Sequence, residues 1–388
     1  MDRLAHPGGA GPDMPVAAGV AASFDLILQE AIRRGASDVH IKTSGRPAIR
    51  VAGRITRIDT PPPSEDDLLD FVQAALGRRS LEAFLRRREL DDSVHMAGCT
   101  WRVHAYWCSE GPAVAARRLR GTPPSMDEIG VPGAVREWAD RRAGLVIVSG
   151  PTGAGKSTTL SAIVNHINGT RACHIVTIED PIEYQYPPGL AVVTQRQVGR
   201  DTEDFATALR AVVRGDPDVI LIGEMRDPES MRAALSIAEA GHLVLATLHT
   251  ASAIEVPSRI VDALPAGDQA QARVQLASSL LGVVTQILLP RAGAEGETDP
   301  LKQRVAAFEV MAGTPGCRSL IRSGSFHQLA SQIQIDAEQG SMPMEESLAR
   351  LAAEGAVEEE VARAAALRPQ EFDQRLRRLR RTAKLPSG

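Results

Sequence analysis

An α/β protein is predicted: a small α+β domain, then a mainly parallel α/β domain, then a helical C-terminal part. Three observations carry this. Short apolar runs, "GLVIVSG" (144–150), "CHIVTIED" (173–180), "LAVVTQ" (190–195), "DVILIGE" (218–224) and "HLVLATLHT" (242–250), are mostly separated by helical stretches, the alternation of a parallel sheet. A glycine-rich stretch, "GPTGAGKST" (150–158), leads from the first run into a helical one. Ahead of both, helices and strands alternate differently and end in the Pro/Gly-rich "RGTPPSMDEIGVPG" (120–133).

Residues 1–22 are rich in Gly, Ala and Pro, lack a charged-then-apolar signal, and are expected to be a disordered leader. "FDLILQEAIRRGASDVHIK" (24–42) predicts an amphipathic helix ending near Gly35, with Ser37 and Asp38 leading into a strand. "VHIKTSGRPAIRVAGRI" (39–55) reads as two strands joined by a Ser-Gly-Arg-Pro turn. "SEDDLLDFVQAALGRRSLEAFLRRREL" (64–90) is helical, its acidic start suiting the helix dipole. "CTWRVHAYWC" and "AVAARRL" resume the strand pattern, so 23–120 is the α+β domain and 121–143 a linker. The α/β core is expected over 144–290. From Ala253 the pattern turns helical, with "RVQLASSLLGVVTQILLP" (273–290) its strongest helix. A helical part is expected over 291–368, beginning with the surface loop "RAGAEGETDPLKQ" (291–303) and holding the helical pair "EESLARLAAEGAVEEEVARAAAL" (345–367). A basic tail, 369–388, ends the chain. Within it "EFDQRLRRLRRTAK" (371–384) is an amphipathic helix, read as solvated or, more sharply, as a contact for anionic lipid or an acidic membrane protein.

Composition fits an ordinary globular chain of 388 residues, 43% hydrophobic and 24% charged. A net charge of −4 gives no reason to expect nucleic-acid binding. Cys99, Cys108, Cys173 and Cys317 show no CxxC spacing, so reduced thiols are expected and a zinc site is not. No apolar run reaches the ~18 residues of a membrane span, which predicts a cytoplasmic protein that reaches a membrane only through a partner.

The chemistry starts at "GPTGAGKST", which fits G-x-x-x-x-G-K-[ST] in its strand-to-helix context. Glycines let the backbone amides curl around phosphates, and the new helix turns its N-terminus toward them. Gly150, Pro151, Thr152, Gly153, Ala154, Gly155, Lys156, Ser157 and Thr158 form the candidate ATP-binding loop. Lys156 is expected on the β- and γ-phosphates and Ser157 on Mg²⁺. Candidate carboxylates Glu179, Asp180 and Glu183 lie in "TIEDPIEY" (177–184), directly after an apolar strand. "DVILIGEMRD" ends in Gly223 and Glu224, where phosphate-loop ATPases usually place a magnesium-holding Asp. His242, Thr247, His249 and Thr250 make a third polar cluster around the next strand.

These four segments, in this order, resemble the secretion ATPase superfamily, the motors of type IV pili and type II secretion. "GPTGAGKST" is its Walker A loop; "TIEDPIEY" resembles its Asp box, "ALRAVVRGDPDVILIGEMRDPES" its Walker B segment and "AGHLVLATLHTASA" its His box. The resemblance runs from about residue 24 to about 355. "GASDVHIKTSGRPAIRVAGRI" and "TPGCRSLIRSG" draw it toward the type IV pilus retraction ATPases. It implies a PAS-like N-terminal domain and a RecA-like ATPase domain. It also implies that Glu183 polarises the attacking water, that Glu224 supports Mg²⁺ through water, and that His249 senses the γ-phosphate and links the two domains. Such ATPases are homohexamers in which N-domain arginines approach the nucleotide, matched here by Arg102 and Arg117. The resemblance further implies ATP and Mg²⁺ as ligands, twitching motility as output, a place at the inner membrane through the pilus platform protein, and a second retraction ATPase as a candidate partner. The chain departs twice. Glu110 in "WCSEG" stands near where retraction ATPases commonly carry an Arg, and their "AIRNLI" motif reads "GCRSLI", keeping Arg318, Leu320 and Ile321. Short length and few cysteines favour the retraction type over extension and type II secretion ATPases. The alternatives are a Dot/Icm-type secretion traffic ATPase and a weakly active nucleotide-binding accessory subunit of a pilus motor.

Overall fold

A computed structural model describes residues 17–51, 54–119, 121–295, 297 and 299–382. The chain divides into two compact units, Met1–Gly121 and Thr122–Gly388.

The first unit begins with helix α1 (Ala17–Arg33), followed by strands β1 (Asp38–Lys42), β2 (Gly45–Val51) and β3 (Arg54–Arg57). Helices α2 (Glu65–Leu76) and α3 (Arg78–Arg87) precede β4 (Glu89–Met96), β5 (Cys99–Cys108) and β6 (Gly111–Arg118). The strands form one antiparallel sheet in the order β3-β2-β1-β6-β5-β4. Apolar side chains from the helices (Phe24, Leu28, Leu68, Phe71, Phe84) and from the sheet (Val39, Ile49, Trp101, Val103) form one core. Ser64 caps α2 in a reciprocal box with Asp67, as the acidic helix start suits. Helix α1 reaches back into the expected leader as far as Ala17, in keeping with the helix propensity of its alanines. Residues 1–16 of that leader lie outside the described residues.

The second unit carries α4 (Gly133–Ala139), β7 (Gly144–Ser149), α5 (Lys156–Thr170), β8 (His174–Glu179), β9 (Val192–Gln197) and α6 (Phe205–Val212). Then come β10 (Val219–Ile222), α7 (Pro228–Glu239), β11 (Leu243–Thr247), α8 (Glu255–Ala263), α9 (Gln269–Ser279) and β12 (Leu280–Pro290). The chain continues with α10 (Pro300–Gln303), β13 (Arg304–Ala312), α11 (Pro315–Ser323), α12 (Leu329–Ile335), α13 (Met344–Ala353), α14 (Glu359–Ala365) and α15 (Pro369–Thr382). Its seven-stranded sheet runs β13-β12-β7-β11-β10-β8-β9, parallel except for β13. One face packs Leu145, Ile147 and Val283 with the buried residues of α7, α8 and α9. The other packs Val146, Val148 and Val284 with those of α4 and α5. Both faces are therefore apolar, which explains the continuous hydrophobic strands.

Four sequence expectations need correction. The stretch 273–290 is not one helix: α9 stops at Ser279, and Leu280–Pro290 is a strand between β7 and β13. A run buried on both faces loses its period, and here Val283, Val284, Thr285 and Ile287 are β-branched. Residues 121–143 are not a bare linker, because α4 buries Val135 and Trp138, and a Cβ on Gly282 would sit 2.1 Å from the Trp138 ring. The stretch 291–368 is not wholly helical, since β13 closes the sheet edge there. Lastly, 369–382 is not a detached tail. Helix α15 buries Phe372 and Leu376 in a cluster with Leu348 of α13, and Arg375 and Arg378 reach Glu346. Its apolar face is thus covered from within the unit. Residues 383–388 lie outside the described residues.

Candidate nucleotide-binding site

The phosphate loop joins the end of β7 to the start of α5. Gly150, Gly153 and Gly155 take φ values of 140°, 80° and 87°, conformations that side chains resist. At Gly150 space also excludes a side chain, since a Cβ would lie 2.4 Å from the carbonyl oxygen of Gln286. No side chain caps the first turn of α5, so its amides are left for an anion, and Pro151 to Gly153 are exposed in front of them. These features fit a phosphate chain.

Lys156 is largely buried and donates from Nζ to the carbonyls of Gly150 (2.9 Å) and Pro151 (3.0 Å). Burial lowers its pKa, against the opposing charge of Glu224. Nζ also lies 3.3 Å from His249 Nδ1, and His249 Nε2 lies 3.3 Å from a carboxylate oxygen of Glu224. An ammonium can only donate, so Nδ1 accepts and the ring proton sits on Nε2, directed at Glu224. Lys156, His249 and Glu224 therefore form one chain across the ends of β7, β10 and β11. Arg226 Nε completes it, 2.7 Å from the other Glu224 oxygen.

The carboxylates of "TIEDPIEY" divide in two. Glu179 is buried and accepts from Thr177 Oγ1 (2.6 Å) and Gln195 Nε2 (3.1 Å). Burial raises its pKa; the hydrogen bonds from Thr177 and Gln195 oppose this, and the Glu183 charge adds to it. The Glu183 backbone N–H also bonds Glu179, whose carboxylate thereby fastens the turn. Glu183 itself keeps part of its surface in solvent. Next to it, the Tyr184 hydroxyl lies 3.0 Å from Thr158 Oγ1, tying this turn to α5. Ser157 is exposed at the N-terminus of α5.

Gly223 has a packing reason. Its N–H donates to the Ile178 carbonyl at 2.8 Å, and a Cβ there would approach that oxygen to 3.1 Å and Glu179 Cα to 3.3 Å. The close passage of β8 leaves little room for an Asp at this strand end.

The phosphate loop, Glu183, Glu224 and His249 thus gather at the carboxyl edge of the parallel sheet, where open α/β sheets bind ligands. His242 does not join them. It precedes β11 at the opposite edge, and its Nδ1 donates to the Pro217 carbonyl at 2.8 Å. Arg102 and Arg117 belong to the first unit, where they are direct cross-strand neighbours on β5 and β6. Both are exposed, and Arg117 Nε donates to Asp38 at 2.8 Å. Glu110, also in the first unit, is paired with Lys42 at 2.7 Å; the Lys42 and Ser44 hydrogen bonds lower its pKa. Arg318 donates to the Leu280 carbonyl at 2.9 Å beside the end of α9, while Ile321 is buried.

Sequence reasoning missed Gln286. Its Nε2 donates to the Ala154 carbonyl at 2.6 Å and its Oε1 accepts from Thr159 Oγ1 at 2.8 Å, which clamps the phosphate loop from β12. One signal was available: a Thr-Gln pair inside an otherwise apolar run.

Among the described residues, no group of three or more His, Cys, Asp or Glu converges on a metal-sized site. A cradle for phosphates beside carboxylates that can order a water is the equipment of a phosphate-loop ATPase. More narrowly, the chain belongs to the Type II/IV secretion system protein family, whose model matches residues 16–330. It is 39% identical over 347 residues to the type IV pilus retraction ATPase PilT of Pseudomonas aeruginosa, covering 89% of this chain and 98% of that one. A crystal structure of the pilus retraction motor PilT with bound ADP matches with a TM-score of 0.81 and 37% identity, over 90% of this chain and 98% of the other. The Legionella pneumophila ATPase DotB matches with a TM-score of 0.80 and 26% identity, over 91% and 97%. No helix of the described residues is long and apolar enough to cross a membrane.

Proposed function

We propose that this chain is the ATP-hydrolysing motor of type IV pilus retraction, working as a homohexamer docked on an inner-membrane platform protein from the cytoplasmic side. The hydrolytic half of the reading rests on the chain Lys156–His249–Glu224 beside the glycine loop. The pilus half rests on similarity to a retraction ATPase along nearly the whole of both chains.

In this reading the amides of 150–158 and Lys156 hold the phosphates of ATP. Ser157 and, through water, Glu224 would hold Mg²⁺, which supplies charge neutralisation on the β- and γ-phosphates when bound. Glu183 orients the attacking water. It is preferred over Glu179 because Glu179 is buried, whereas Glu183 keeps part of its surface in solvent. His249 would register the γ-phosphate through Lys156, whose Nζ lies 3.3 Å from its Nδ1. Arg102 and Arg117 would complete the site of a neighbouring subunit, and a second retraction ATPase would be a partner in the cell.

A second reading, a Dot/Icm-type traffic ATPase, is favoured by the likeness to DotB. Two measurements test the proposal, and the second separates the two readings. Phosphate release by the purified protein should be lost in Glu183→Gln while nucleotide binding remains; activity unchanged in that variant, or none in wild type, refutes the motor. Cells lacking the gene should be hyperpiliated and unable to twitch; normal twitching refutes the pilus role.

A further inference from the structure

Behind His249, buried polar groups run from the nucleotide site toward the C-terminal helices. Glu309 on β13 is 4% exposed and stands opposite Thr285 on β12, which in turn stands opposite Ser149 at the base of the phosphate loop. Direct cross-strand neighbours share a face, and Ser149 Oγ and Thr285 Oγ1 are 2.5 Å apart. From this row Glu309 reaches the turn after β11, accepting from Ser252 Oγ at 2.9 Å and from the Ala253 N–H at 2.5 Å. Ser252 is three residues beyond His249, and its carbonyl accepts from Thr250 Oγ1 at 3.1 Å. On the outer side, the fully buried Glu345 accepts from Arg368 through the backbone N–H (3.1 Å), Nε (3.3 Å) and Nη2 (3.1 Å). Glu345 and Arg368 are the charges that bear on Glu309 from that side.

A carboxylate in this position is costly, because beyond its own polar row the same face carries the buried Leu145, Ile147, Val283 and Met311. An apolar side chain would pack there without desolvating a charge, but it could not hold the turn. Both hydrogen bonds accepted by the Glu309 carboxylate go to the segment that delivers His249, and neither comes from the sheet.

We propose that Glu309 is a positioning residue of the ATPase site, fixing the 249–253 turn so that His249 stays between Lys156 and Glu224. This rests on the role given to His249 above. Full-length Glu309→Ala should lower kcat for ATP about tenfold, as a small displacement of a catalytic group does, with a much smaller change in KM. Glu309→Gln keeps an acceptor oxygen and should recover most of that loss. The decisive comparison is His249→Ala with and without Glu309→Ala. Residues acting as one unit are non-additive, so the second substitution should lower kcat no further, although both lower the melting temperature. Wild-type kcat in Glu309→Ala, or an equal loss in the His249→Ala background, overturns the inference while leaving the site reading in place. Wild-type kcat in His249→Ala itself refutes the site reading and this inference with it. Should Glu309→Ala be insoluble, Ser252→Ala removes one of the two donors: a fall in kcat that vanishes in the His249→Ala background supports the inference, and wild-type kcat overturns it.

Discussion

Replacing Gln286 by Met tests whether β12 holds the phosphate loop. Gln286 is 1% exposed and pairs with the Ala154 carbonyl and the Thr159 hydroxyl. Met has a similar length and packs without a cavity, so the change isolates the two hydrogen bonds. It strands one buried acceptor and one buried donor, each worth about 1–3 kcal/mol. Taking the lower end for both gives about 2 kcal/mol, hence about 4–8 °C in the melting temperature for a unit of this size. Loop geometry should suffer as well, because Ala154 precedes Gly155 and Lys156. ADP affinity by calorimetry should therefore fall by about tenfold, the equivalent of 1.4 kcal/mol. Thr159→Val removes only the hydroxyl's side of the pair and should give roughly half the thermal shift, with less effect on ADP. An unchanged melting temperature in Gln286→Met, or a thermal loss with intact ADP affinity, would refute the clamp.

Two further outcomes concern the strand end and the C-terminal helix. Gly223→Asp should not restore a metal ligand. The Cβ would press on the Ile178 carbonyl at 3.1 Å, so a stability loss of about 1–3 kcal/mol and lower turnover are expected in denaturant and phosphate-release assays. The pKa of Glu346 is lowered: burial opposes this, but Arg375 and Arg350 outweigh it. A depressed carboxylate contributes stability that is present above its unfolded value near 4.5 and is lost as pH falls through the lower folded value. Acidification below about 4.5 should therefore loosen α15 from α13, read as faster proteolysis of residues 369–382, and Glu346→Gln should show part of that loosening at neutral pH. Protection that does not change with pH or with the variant would refute the assignment.

The parts of the site that could be read in advance are those whose chemistry is local. "GPTGAGKST" specifies a strand, a left-handed glycine turn and a helix start within nine residues, and each piece requires the next. Lys156 and Ser157 follow from that motif; Glu183, Glu224 and His249 stood out as polar groups at strand ends, and their roles came from a resemblance. What joins Glu224 and His249 to the loop is a pair of contacts across 25 and 93 residues. His242 misled because two histidines flanking one strand lie at opposite sheet edges. The Gly223 that looked like a lost ligand is explained only by where β8 passes.

The sequence by itself determined the α/β class, the phosphate loop and the carboxyl-edge placement of its neighbours, because strand burial and glycine stereochemistry act over a few residues. Tertiary structure alone decided that Leu280–Pro290 is a strand, that Trp138 belongs to the ATPase unit and that α15 docks on α13. It also brought Gln286 to the phosphate loop and Glu309 to the turn after His249. A run buried on both faces carries no period to distinguish strand from helix. A buried polar residue, in turn, declares its purpose only through partners that folding brings to it from far along the chain.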